Sequence, residues 1–174
     1  EENGVCSYDE LMDAAANRNY NYNFLEGLPL GDPTRLEGFL FPDTYEFYVG
    51  MQASSAINKF LETFYYKQTA DLQKALKNMG LDIRTVVNMA SLIEKEAAND
   101  DERRTIASVI YNRLAAHMPL GIDASILYIH PDHEGAPTAA MLEEDSPYNT
   151  RLYQGLPPTP ISNPGLASIY AVLN

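Results

Sequence analysis

The sequence of 174 residues has no tryptophan and one cysteine, Cys6. A lone thiol excludes an internal disulfide and a cysteine zinc cluster. Its neighbours Gly4, Val5 and Ser7 supply no histidine to turn it into a nucleophile. Basic residues are scarce: 12 Lys and Arg stand against 24 Asp and Glu, for a formal net charge of -12. Binding nucleic acid takes clustered cations that displace counterions from phosphates, so this balance argues against such a partner and is accounted for by solubility. No apolar run approaches the roughly 20 residues that span a bilayer, and the opening Glu-Glu-Asn-Gly lacks the basic start and apolar stretch of a signal peptide.

What is present is hydrophobic material, 45% of the residues, enough for one compact core with at most a small appended lobe. Ser7, followed by Asp9 and Glu10 and then Leu11, Met12, Ala14 and Ala15, predicts a short capped helix over 7–17. The alternating Asn and Tyr of 19–23 read as a loop. Phe39, Phe41, Tyr45, Phe47 and Val49, broken by Pro42-Asp43, predict a strand, a turn, then a strand or short helix over 36–49. From Ser54 the spacing of Ala56, Phe60, Leu61, Phe64 and Tyr65 predicts a helix that continues through Leu72 and Leu76 to a stop at Gly80. Helices over 83–97, behind Asp82, and over 102–116, behind Asn99-Asp100-Asp101, follow. Beyond Pro119, prolines at 131, 137, 147, 157, 158, 160 and 164 impose loops, with a short strand or helix at 126–129 and a last helix from Leu166. Such loops beside helices commonly carry a site.

On the helix over 83–97, at about 100° per residue, Ile83, Val86, Val87, Ala90, Ile93 and Ala97 form one stripe, and Glu94 falls inside it. Arg84, Asn88 and Lys95 lie opposite. A carboxyl held against apolar surface keeps its proton more readily, which suits a general acid. The alternative is a slightly rotated helix with Glu94 solvated at the rim of the stripe, or pairing with an arginine such as Arg113. Glu96 points about 200° away from Glu94, so any second carboxylate comes from elsewhere; Asp123, after Pro119, is a candidate that reads equally as a turn or cap residue. His130-Pro131-Asp132-His133-Glu134 carries the residues of a metal-dependent hydrolase, yet it is rich in turn formers and lacks the helical HExxH spacing. Tyr20, Tyr22, Tyr45 and Tyr48 would serve a non-catalytic wall-binding module by stacking on sugars, although tyrosines in such runs more often pack in a core with a wet hydroxyl.

Several ordered words carry a resemblance. They are Leu36-Glu37-Gly38-Phe39-Leu40-Phe41-Pro42-Asp43-Thr44-Tyr45, Ala90-Ser91-Leu92-Ile93-Glu94-Lys95-Glu96, and Ala107-Ser108-Val109-Ile110-Tyr111-Asn112-Arg113-Leu114. Met118-Pro119-Leu120 with Asp123 follows, then Ser146-Pro147-Tyr148-Asn149-Thr150, Gly155-Leu156-Pro157-Pro158, and Ile161-Ser162-Asn163-Pro164-Gly165. In this order the chain resembles the YceG-like endolytic murein transglycosylases over about 36–165. The resemblance implies Glu94 as the catalytic acid/base; Glu96, Asp123, Tyr148, Asn149 and Thr150 are candidate substrate-binding residues by their place beside it in these words and loops, with turn chemistry as the alternative for the loop residues, and no cofactor or metal is expected. It implies an α+β fold, a mainly helical catalytic domain with short strands and proline-rich loops over 36–174, C-terminally truncated, preceded over 1–35 by the tail of a LysM-like or linker segment. It further implies peptidoglycan glycan strands as substrate, with cell-wall synthesis proteins as further partners. Its setting is the extracytoplasmic face of the bacterial membrane, reached through an N-terminal anchor absent from this chain. The chain departs from the family at Gly121-Ile122, where a polar Gln-Ser pair usually precedes the aspartate, and at Thr159, where a glycine usually separates the prolines. The implied reaction cleaves the β-1,4 bond between N-acetylmuramic acid and N-acetylglucosamine and leaves 1,6-anhydro-muramic acid ends. One carboxyl can give and then take back the proton, so the usual glycosidase pair is unnecessary.

Overall fold

The structure is a computed structural model and describes residues 2–173. Helix α1 (Tyr8–Asn17) begins at Ser7, whose hydroxyl accepts from the Glu10 N–H while the Glu10 carboxylate accepts from the Ser7 N–H. This reciprocal cap satisfies donors that the first turn of a helix leaves orphaned. Short 3-10 turns follow at Asn23–Leu25 and Pro33–Leu36.

The strands expected over 36–49 do not form. Phe39 and Phe41 are buried as a strand's inward face would be, but Gly38 turns the backbone into the left-handed region at φ 92. The N–H groups of Gly38 and Leu40 then donate to the Asn163 side-chain oxygen, at 2.8 and 3.0 Å, instead of to a partner strand. Among the described residues the one β pairing is an isolated antiparallel bridge between Pro119 and Gln154. The chain is therefore mainly helical, and the α+β expectation is corrected on that point.

The long helix expected from Ser54 to Gly80 is two helices, α2 (Ala53–Lys67) and α3 (Ala70–Met79). Thr69 separates them because its hydroxyl accepts from the Leu72 N–H and starts a new helix. Gly80, left-handed at φ 65, closes α3 by returning its N–H to the Leu76 and Lys77 carbonyls. Helix α4 (Ile83–Glu96) starts at Asp82, and α5 (Glu102–Ala115) follows. Helix α6 (Asp123–Tyr128) starts earlier than the segment expected at 126–129 and takes in Asp123. A single turn, α7 (Ala139–Leu142), has no counterpart in the sequence reading, whereas α8 (Leu166–Val172) begins where expected.

Helix α4 is the hub, with α5, α6 and α8 packed against it, while α1 lies on α2 and the Pro33–Leu36 turn. One core joins both groups, from Ala14 and Ala15 through Phe24, Phe39 and Phe64 to Ile169 and Val172. Phe24 stacks on Phe39 at 5.3 Å and meets the edge of Phe64 at 4.8 Å. Burial of each such ring stabilises the fold by about 1.5–3 kcal/mol.

Candidate active site

The sequence pattern gives α4 one apolar stripe, but every residue from Val86 to Ile93 is buried. The side carrying Asn88 and Ser91 is enclosed by the proline-bearing loop that precedes α8. The Asn88 amide donates to the Pro157 carbonyl at 2.7 Å, and the Ile161 N–H donates to the Ser91 hydroxyl oxygen at 3.0 Å. The Ser162 hydroxyl donates to the Ser91 carbonyl, also at 3.0 Å. Buried polar groups need partners, and here they fasten a loop along a helix.

Glu94 stands where this enclosed helix emerges, after the fully buried Ile93 and before the exposed Lys95. Its side chain keeps 30% of its surface exposed. It is not the isolated carboxyl on an apolar face that the wheel suggests, because neighbouring elements supply it with donors. Oε2 accepts from the Ser168 hydroxyl at 2.6 Å, from the Gly165 N–H at 3.2 Å, and from Arg103 Nη1 at 3.3 Å. Arg103 Nη1 also donates to the Ser168 hydroxyl oxygen at 2.6 Å, and its Nε donates to Asp100 at 2.9 Å. The partnering arginine is thus Arg103, the second residue of α5, whereas Arg113 donates to the Leu120 carbonyl. Ser168 is fully buried.

A second acidic group lies at the junction of α4 and α6. Burial pushes the Glu96 carboxyl above its ordinary value, the Ala124 N–H opposes this, and the charge of Asp123 adds to the rise. Glu96 as a residue remains exposed. Asp123 accepts from Arg151 Nη2 at 2.6 Å and Nε at 2.8 Å. Lys95, Glu96, Asp123, Tyr128 and Ile161 are among the walls of a crevice of about 580 Å³.

Of the other residues singled out from sequence, Asn149 and Thr150 are buried. The Asn149 amide donates to the Leu142 and Glu144 carbonyls, and the Thr150 hydroxyl oxygen accepts from the Ile122 N–H. Both side chains hold the loop that carries Arg151 and Tyr148 against the start of α6. The Tyr148 hydroxyl sits 2.6 Å from that of Thr159, and its ring lies 5.3 Å from the ring of Tyr128. Burial pushes the Tyr128 phenol up to about 12, with the charges of Glu37, Tyr148 and Asp32 adding to it. Tyr128, Arg103 and Ser168 escaped the sequence reading; only the proximity of Ser168 to the Ile161-Ser162-Asn163-Pro164-Gly165 word hinted at any of them.

The histidines take separate partners: His130 Nε2 lies 2.7 Å from Glu144 and His133 Nε2 lies 2.9 Å from the Ala136 carbonyl. Among the described residues no group of three or more His, Cys, Asp or Glu is placed to hold a metal. Tyr20, Tyr22 and Tyr45 turn their hydroxyls to Ala14, Asn58 and Phe41, leaving Tyr48 as the exposed member of that set. A cleft of about 810 Å³, larger than the crevice beside Glu96, is lined by residues between 4 and 18 and by residues 50–54, and shares none with the surroundings of Glu94. Size alone therefore points away from the constellation of acid, guanidinium and hydroxyl.

Comparison with known proteins bears on this constellation. The chain matches the YceG-like family over residues 3–174. It is 37% identical over 167 residues to an endolytic murein transglycosylase of Bacillus subtilis, covering 95% of this chain and 44% of that protein. It is 34% identical over 160 residues to an endolytic murein transglycosylase of Streptococcus pneumoniae, covering 86% of this chain and 28% of that protein. The chain thus spans less than half the length of these curated relatives. A crystal structure of a YceG-like protein from Listeria monocytogenes superposes with a TM-score of 0.83 at 32% identity, covering 98% of this chain and 59% of that one.

Proposed function

The chain belongs to the YceG-like family, and from that premise we propose that it is the catalytic part of an endolytic lytic transglycosylase acting on peptidoglycan. Glu94 is the acid/base. In its protonated form it donates to the glycosidic oxygen as the bond from C1 of N-acetylmuramic acid to that oxygen breaks and positive charge builds on the ring. The resulting carboxylate takes the proton of the muramic 6-hydroxyl as that oxygen bonds to C1. The products are a free 4-hydroxyl on N-acetylglucosamine and a 1,6-anhydro-muramic acid end. No water is consumed, and Glu94 returns to its starting state.

The observation that carries the reading is the placement of Glu94, partly exposed at the end of a buried helix and anchored by a guanidinium, a buried hydroxyl and a backbone N–H. A single carboxyl so held is what a give-and-take proton transfer needs. Glu96, Asp123 and Tyr148 bind the glycan beside it, and Asn149 and Thr150 fix the loop that shapes this wall. Residues 36–174 form the catalytic domain, and residues 1–35 are the tail of a LysM-like or linker segment whose α1 packs on it. The working place is the extracytoplasmic face of the bacterial membrane, reached through an N-terminal anchor, with cell-wall synthesis proteins as neighbours. Among the described residues no helix is long and apolar enough to cross a membrane.

The test is a digest of purified peptidoglycan by the chain and by its Glu94→Gln variant, with mass spectrometry of the fragments. Anhydro ends from the wild type that fall by at least about 100-fold in the variant are expected. Reducing ends would mean hydrolysis and overturn the mechanism; anhydro ends that persist in the variant would remove Glu94 from it.

A further inference from the structure

We propose that Arg103 and Ser168 are positioning residues that give the two oxygens of Glu94 separate tasks, Oε2 being anchored while Oε1 carries the transferred proton. The assignment rests on the transglycosylase reading above. Every donor to this carboxyl among the described residues reaches Oε2: Ser168 at 2.6 Å, Gly165 at 3.2 Å and Arg103 at 3.3 Å. None reaches Oε1. A proton on Oε2 would face three hydrogens already aimed at it, whereas the carbonyl oxygen of a protonated acid accepts hydrogen bonds freely. The proton therefore belongs on Oε1, on the side open to substrate.

The chain of donors has a fixed direction. A guanidinium can only donate, so the hydroxyl oxygen of Ser168 accepts from Arg103, and the single hydroxyl hydrogen is left to point at Glu94. Asp100 accepts from Nε of the same guanidinium and so sets the plane of Arg103. Ser168 is fully buried on α8, which otherwise brings one titratable group, the Tyr170 phenol, and no charge. On α4 itself the neighbouring Lys95 is exposed, and Glu96 faces Asp123 of α6, which Arg151 occupies. When Oε1 gives its proton to the glycosidic oxygen, the negative charge spreads to Oε2, where Arg103, Ser168 and Gly165 already stand. That stabilisation requires no reorganisation at the moment of transfer. Return of the proton from the 6-hydroxyl arrives at the same Oε1.

The experiment measures release of 1,6-anhydro ends from peptidoglycan by the wild type, Ser168→Ala, Ser168→Thr, Arg103→Gln and the double variant Arg103→Gln with Ser168→Ala, each checked for an unchanged melting temperature. Ser168→Ala is expected to lower kcat about 10- to 100-fold with KM within about twofold, because it removes a donor to developing charge and not a substrate contact. Ser168→Thr keeps the hydroxyl and should recover most of that loss. The double variant should lose less than the product of the single losses, since both act through one oxygen. Wild-type kcat in a folded Ser168→Ala protein overturns the assignment, as do strictly multiplicative losses or a change confined to KM. A wild-type chain that yields no anhydro ends overturns the reading beneath it instead, which separates the two failures.

Discussion

Two carboxylates touch the loop before α8, Glu37 through Asn163 and Glu94 through Gly165, and they are held by opposite means. Glu94 meets a cation and a hydroxyl, whereas Glu37 has one neutral amide hydrogen bond, from Asn163 at 3.0 Å, and burial pushes its pKa up. A carboxyl whose folded value exceeds its unfolded value favours folding more as pH falls through the folded value, because the native state binds the proton more tightly. Glu37→Gln keeps an acceptor for Asn163 and removes the ionisation. The variant should melt above the wild type near neutral pH, and the gap should close as pH drops into the ordinary carboxylate range. Thermal melts across that interval check this, and a gap independent of pH would refute it. At this scale Glu94 stood out in the sequence as a residue that breaks a local pattern, and Asp123 as a candidate second carboxylate that reads equally as a turn or cap residue. Their partners Arg103 and Arg151 were not legible, because a guanidinium's reach of several ångströms across loops leaves no trace in sequence spacing.

Helix starts and stops were legible where they rest on neighbours in the chain. Ser7 with Glu10, Asp82 and Gly80 behave as read, each by a bond within three or four residues. Asp82 accepts from the Arg84 and Thr85 N–H groups, both at 2.9 Å, and from the Thr85 hydroxyl at 2.7 Å. The Thr85 hydroxyl and N–H chiefly hold its carboxyl below the usual range, with burial opposing. The cap therefore contributes at neutral pH and is lost as acid brings the carboxyl through its lowered value. Asp82→Ala should cost about 1 kcal/mol near pH 7 and less in strong acid, read from urea melts at the two pH values. The break at Thr69 and the missing strands over 36–49 were not legible. Both depend on competition between alternatives, a local one at Thr69, where a threonine cap displaces helix continuation, and a long-range one in which the Asn163 side chain displaces a partner strand.

At the scale of the whole molecule, three distant stretches meet at Gly38. A Cβ built there would lie 2.6 Å from Pro160 Cγ and 2.7 Å from Val87 Cγ1, and the backbone sits at φ 92. Gly38→Ala thus adds backbone strain to overpacking and should cost about 3 kcal/mol in a denaturant melt. Because Pro160 belongs to the loop that leads to Asn163, Gly165 and Ser168, the variant should also lose the proposed transglycosylase activity beyond what unfolding explains. Full activity in the folded fraction would show that this contact does not position the loop.

By itself the sequence determined the acidic composition, the caps at Ser7, Asp82 and Gly80, most of the helices and the singling out of Glu94 as a candidate, since each depends on composition or on residues within a few positions of one another. Only the tertiary structure decided what surrounds Glu94. Arg103 and Ser168 lie 9 and 74 positions away and reach it because α5 and α8 both pack on α4. The mainly helical architecture was decided at the same level, because a strand needs a partner and Asn163 took the place of one.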